Sequence, residues 1–207
     1  MYEPSVTFDY TTLENVKAHI PEGSATMDAL IEELIERVSR LIDRYKRMPD
    51  SYYNNGGDYA LAQILLFDGN GKDKLYIDHC TAIDQVQIRD DVSSAWQAMT
   101  ENTDYFTWPY NTEHLSRLDI NSVGSYSSWP KGQRTIEVTA YWGGYSVTPP
   151  EVEQACIIQA VRWLGRGQQM FRDTGAIIEL GKLTYTKELD PDVRATLDSL
   201  VGRVSIG

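Results

Sequence analysis

The sequence is poor in the residues that most often carry chemistry. It has two cysteines, Cys80 and Cys156, too few for a disulfide scaffold. Its three histidines, His19, His79 and His114, are far apart, and neither C-x-x-C nor H-x-x-x-H occurs, so no local metal site is readable. No apolar run approaches the roughly 20 residues that cross a bilayer, which gives the expectation of no membrane partner. The first ten residues, MYEPSVTFDY, lack the basic start and apolar stretch of a signal peptide, and the expectation is a protein made in a cytoplasm. The phosphate-binding and nucleophile-elbow patterns G-x-x-x-x-G-K-[ST], G-x-G-x-x-G and G-x-S-x-G are absent. Basic charge is also short: 19 Lys and Arg stand against 30 Asp and Glu, a formal charge of −11. Such a surface opposes wrapping of nucleic acid, which needs clustered cations, but it lets DNA pass nearby without sticking.

Aromatics and patterned helices are what the sequence does have. Leu30, Ile31, Leu34, Ile35, Val38, Leu41, Ile42 and Tyr45 recur at helical spacing and predict an amphipathic helix over 28–47. Its other face carries Glu32, Glu33, Glu36, Arg37, Arg40, Asp43, Arg44 and Arg47, with Glu33–Arg37, Glu36–Arg40 and Asp43–Arg47 in the favourable i,i+4 order. Thr11-Thr12 offers a hydroxyl cap to a shorter helix ending near Ala18. Strand character follows over 60–67, 74–79, 83–89, 105–108, 114–118 and 135–140, with Asp68-Gly69-Asn70-Gly71 reading as a turn and NSVGSYSSWPKGQ as a polar loop. Pro149-Pro150 then starts a helix to about Met170, weakened late by Gly165 and Gly167, and Asp190-Pro191 caps a last one. Residues 171–189 as a whole show no clear period.

The expected architecture is α+β: a small helical bundle into which an antiparallel β domain is inserted. The boundaries read from the sequence are 1–48 for the first helices, 49–148 for the β-rich insertion and 149–207 for the last helices, with an extended arm at 171–189. Gly143 and Gly144, with Pro149 and Pro150, form the joint that returns the chain to the bundle.

Catalytic readings are weaker than structural ones. His79 and Cys80 are adjacent on a strand and point to opposite faces. Cys156 lies beyond the first helical turn, where a helix dipole would no longer activate it, and on the apolar side. DGNGKDKLYID has Lys72 where a calcium loop needs an oxygen ligand, and no closing Glu. Among the aromatics, Trp96, Tyr105, Phe106, Trp108, Tyr110, Tyr126, Trp129, Tyr141, Trp142 and Tyr145 fall in or near the β part. Each ring is better read as core filling than as a stacking platform, although a β module that binds glycan through them is an alternative.

The order TTLENVKAHI, DALIEELIERVSRLIDRY, FDGNGKDKLYID, YFTWPYNTEHLSRLDI, TIEVTAYWGGYSVTPPEVEQACIIQAVRWLGR and LDPDVRATLDSL resembles the head–tail connector, or adaptor, proteins of tailed bacteriophages and gene transfer particles. The resemblance spans nearly the whole chain. It implies a structural protein of the virion neck with no catalytic activity, cofactor or metal. It implies a ring of about twelve copies under the portal protein, a stopper or tail-completion protein on the other side, and DNA passing through. Another neck component, a stopper or tail-completion protein itself, is the nearest alternative. In such a ring an acidic lumen would let DNA slide. Arg37, Arg40 and Arg44 on the long helix, and Phe171, Ile177, Ile178, Leu183 and Tyr185 in the arm, are the candidate contacts to neighbouring subunits or the portal.

Overall fold

A computed structural model describes residues 8–20, 27–57, 60–112, 114–171 and 189–200. Two compact units emerge: Tyr52–Val147, and the described parts of Thr7–Ser51 together with Thr148–Gly207. The first is an antiparallel sheet and the second is helical, so the chain is an α+β protein whose helices flank a β domain in sequence.

The helical unit holds α1 (Leu13–Lys17), α2 (Asp28–Lys46), α3 (Pro150–Phe171) and α4 (Pro191–Ser199). Thr12 caps α1 by accepting the Asn15 N–H at 3.3 Å. α2 packs on α3, and α3 on α4. The buried stripe of α2 is Ile31, Ile35, Val38 and Ile42, whereas Leu30 is 43% exposed. Ser39 and Asp43 complete that stripe and are fully buried, which the apolar pattern alone did not predict. Val152, Ala155, Cys156, Ala160 and Leu164 of α3 and Val193 and Leu197 of α4 supply the facing side chains of the core. α3 runs through Gly165 and Gly167 without a break. Among the described residues, no helix is long and apolar enough to cross a membrane.

The β unit contains β1 (Gln63–Asn70), β2 (Lys74–Ile88), β3 (Gln97–Met99), β4 (Tyr105–Trp108), β5 (Leu115–Ile120) and β6 (Lys131–Trp142). The strand order is β1-β6-β2-β5-β4, with β3 on the far end of β2. The sequence reads two strands in 74–89, but the chain forms one. Its first half pairs with β5 and its second with β6, and irregular register around Cys80 turns the strand between them. This lets one strand serve two parts of the sheet around a shared core of Leu75, Cys80, Val86, Leu118, Ile136 and Val138. Asp68 and Gly69 belong to β1 at a bulge, so the turn begins three residues later than expected, at Gly71-Lys72-Asp73. The polar loop before β6 delivers a core residue: Trp129 is fully buried, and its backbone N–H donates to Lys72 O at 2.8 Å.

Candidate functional site

The candidate features fall in four places. The first holds the residues expected from sequence to form the joint, each described within its own unit. Gly143 has φ of 126°, a region that side chains rarely enter. Gly144 has a different reason to be glycine: a Cβ there would sit 2.3 Å from the Tyr52 ring. The incoming segment 52–57 and the outgoing segment 141–147 are tied together inside the β unit. Gly144 N–H donates to Tyr52 O at 2.8 Å, and Asn55 N–H to Tyr145 O at 3.0 Å. Tyr52 OH lies 2.6 Å from His79 Nδ1, Tyr53 stacks on Tyr145 with centroids 5.5 Å apart, and His114 meets Tyr145 edge-on at 4.5 Å. Pro149 and Pro150 open α3: the Pro149 carbonyl accepts the N–H groups of Val152 and Glu153, both at 3.0 Å, and Pro150 is the first helical residue.

A buried polar knot in the helical unit is the second place. Asp43 accepts the Tyr10 hydroxyl and, at 3.0 Å, the Ser51 N–H, and Arg40 Nε stands 3.7 Å from it. Burial pushes the Asp43 carboxyl up to about 6, against the opposing pull of those partners. Arg40, expected on the charged outer face of α2 as a candidate subunit or portal contact, turns inward: its guanidinium donates to Phe8 O at 2.6 Å and Ser51 Oγ at 2.8 Å. Ser39 accepts the Tyr10 N–H at 3.1 Å and donates to Ile35 O at 2.9 Å. Arg37 and Arg44 remain exposed on α2, Arg37 paired with Glu33 and Arg44 Nε donating to Arg40 O at 3.2 Å. Phe171 ends α3; Ile177, Ile178, Leu183 and Tyr185 lie outside the described residues.

The third place is the outer face of β2, β5 and β4, where register sets Tyr76 opposite Arg117 and Arg117 opposite Trp108. Arg117 grips both oxygens of Asp119, at 2.7 and 2.9 Å, and its Cζ lies 4.6 Å from the Trp108 ring centre. Tyr110 meets Trp108 nearly perpendicular, at 4.9 Å. Sequence reading names Trp108 and Tyr110 among the aromatics but misses Tyr76 and Arg117. Only the pairing of β5 with both β2 and β4 brings Arg117 between Tyr76 and Trp108.

A clamp between α3 and α4 is the fourth. Asp190 accepts Arg166 at 2.6 Å and Arg162 at 3.3 Å, Arg162 also pairs with Asp192, and the Asp190 N–H donates to Gln159 Oε1 at 2.9 Å.

Neither thiol is placed for catalysis. Cys80 and Cys156 are fully buried, and burial raises both to about 12, so neither supplies thiolate near neutrality. Among the described residues no group of three or more His, Cys, Asp or Glu is arranged to hold a metal ion. What the surface offers is contact chemistry: rings, arginines and strand edges.

No protein-family model and no curated protein matches the chain. Solved structures do. A chain from the virion of a native gene transfer agent (GTA) particle aligns with 14% identity and a TM-score of 0.49 over 95% of this chain and 93% of that one. A chain from the neck of an empty GTA particle, computed with C6 symmetry, aligns with 13% identity and a TM-score of 0.51 over 96% of this chain and 94% of that one. This second likeness shows that the two chains share a fold, helices and sheet together, over nearly their whole lengths.

Proposed function

We propose that the chain is a structural protein of a phage-type virion neck: a head–tail adaptor that forms a ring beneath the portal, extends the DNA channel and docks the stopper or tail. The observation that carries the reading is the end-to-end likeness of fold to a chain of a GTA neck, which covers 96% of this chain and 94% of that one. It agrees with the resemblance drawn from the order of motifs. A ring of about twelve copies, as the resemblance implies, is compatible with the sixfold symmetry used for that neck. The joint fits a scaffold role: aromatic packing and backbone hydrogen bonds hold the start and end of the β insertion together.

The glycan-binding reading has less support. Arg117 lies over the Trp108 ring and Tyr110 stands perpendicular to it, so these rings do not form the open, level platform that a sugar stacks on. A stopper or tail-completion role is separated from the adaptor role by experiment. Particles assembled without this chain should accumulate as DNA-filled heads without tails in electron micrographs, and the purified chain should bind isolated portal rings. Normal tailed particles would refute the neck reading. Tailless heads combined with no portal binding would move the chain to the stopper position.

A further inference from the structure

Two exposed patches of the β unit differ in kind and lie on different parts of its sheet. Both face away from the shared core, because side chains alternate along a strand. The first is on β1 and β6. Leu65 and Phe67 lie in register with the core residues Val138 and Ile136, which turns Ile64 and Leu66 outward, 59% and 45% exposed. Register sets Thr139 and Glu137 of β6 beside them, and among the described residues no hydrogen bond or ion pair engages the Glu137 carboxylate.

The second patch is on β2, β5 and β4. Leu75 and Ile77 are buried, and Tyr76 between them points out, 58% exposed. Its row continues through Arg117 to Trp108, against which stands Tyr110, 53% exposed. Lys74 precedes Tyr76 on the same face and is exposed; Asp119, its register partner, is already held by Arg117. One patch is therefore aliphatic with a free acid, and the other aromatic with a free cation. Neither complements itself, since two copies of either would bring like charges together.

We propose that these patches are the two halves of one subunit contact: Ile64, Leu66 and Glu137 of one copy dock on Tyr76, Trp108, Tyr110 and Lys74 of the next. Asp119 fixes Arg117, and Arg117 lies over the Trp108 ring, so the receiving surface is ordered before binding. Such preorganisation lowers the cost of association. Trp, Tyr and Arg are also the residues that most often dominate a contact surface. Every copy carries one patch of each kind. The contact is thus head to tail, the kind that closes into a ring when the rotation between copies allows. The proposal rests on the ring reading above.

Sedimentation of three forms of the full chain tests it. Ile64→Lys with Leu66→Lys removes the first patch, and Tyr76→Ser with Tyr110→Ser removes the second. Serine adds no partner for the new lysines. All four side chains are exposed, so circular dichroism and the urea midpoint should match the unsubstituted chain, separating lost contact from lost folding. The unsubstituted chain should associate beyond a dimer as its concentration rises toward about 1 mM, the weak end of specific affinity. Each variant alone should associate about tenfold or more weakly. Mixed in equal amounts, the two variants should form a dimer and stop there, because one keeps the rings and the other the aliphatic pair. No association of the unsubstituted chain, no dimer in the mixture, or growth of the mixture beyond a dimer overturns the proposal. Association that both variants retain overturns it too, and leaves the ring reading standing with its contact elsewhere. The experiment needs no particle, so its failure leaves the micrograph test of the neck reading intact.

Discussion

At the scale of the residue, two positions carry more constraint than their types suggest. Gly144 sits where the Tyr52 ring fills the space a side chain would need, and the contact is to ring atoms Cζ and Cε1 as well as the hydroxyl. The ring is held in turn by His79 and by Tyr53 and Tyr145, so it has little room to retreat. Gly144→Ala should lower stability by about 1–3 kcal/mol, the usual cost of overpacking. Urea denaturation should show it as a lower midpoint with unchanged slope; an unchanged midpoint would mean that Tyr52 moves freely. Asp43 is the second position. Its carboxyl is raised from an ordinary value near 4 to about 6 by burial, so the folded state binds that proton more tightly than the unfolded chain does. The resulting stabilisation is fully present below the unfolded value and is lost as pH rises through about 6. From pH 7 to pH 5 the unsubstituted chain should therefore gain about 1–2 kcal/mol relative to Asp43→Asn. Parallel urea curves for the two proteins at both pH values check this, and no relative gain would place the Asp43 carboxyl near its ordinary value.

At the scale of the element, period and punctuation located every helix described and most strands, because core burial repeats along one segment. The limits came from partners distant in sequence. Asp43 read as part of the charged face from α2 alone; its burial is made tolerable by Tyr10 and Ser51, which no local pattern links to it. β2 read as two strands because its irregular register near Cys80 interrupts the alternation. β3 is three residues long and carries too little pattern to be seen. Gly-Gly and Pro-Pro are readable in sequence because they act locally, whereas the Tyr76–Arg117–Trp108 ladder depends on register across three strands. The α3–α4 clamp is another contact across elements and gives a test. Asp190 is 6% exposed in its side chain and holds two arginines that are themselves 40% and 31% exposed. Removing the acid leaves both guanidinium groups without it, although Arg162 keeps Asp192. Asp190→Ala should cost about 1–3 kcal/mol, below the value for a fully buried pair because solvent screens the arginines. Faster hydrogen exchange confined to α4 and the last turns of α3 would be its signature; an unaffected α4 would show that apolar packing of Val193 and Leu197 alone holds that helix.

At the scale of the whole molecule, charge is the property most directly tied to the proposed role. A protein around a DNA channel faces a polyanion that must move, and each phosphate neutralised by Lys or Arg adds affinity that falls steeply with salt. With 30 acidic and 19 basic residues the chain has a net repulsive field rather than an adhesive one. Several of the cations are also already engaged: Arg40 inside the helical unit, Arg117 on Asp119, and Arg162 and Arg166 on Asp190. These pairings reduce the number of guanidinium groups offered to phosphate. The purified chain should therefore bind double-stranded DNA more weakly than about 10⁻⁴ M at physiological salt, the weak end of ordinary non-specific binding. Mobility-shift titrations at several salt concentrations check this, with no retained complex expected at micromolar protein. Micromolar binding that weakens steeply with added salt would reveal a basic surface gathered on one side of the molecule. A ring lumen built from that surface would grip DNA rather than let it slide, and the acidic-channel part of the adaptor reading would fall.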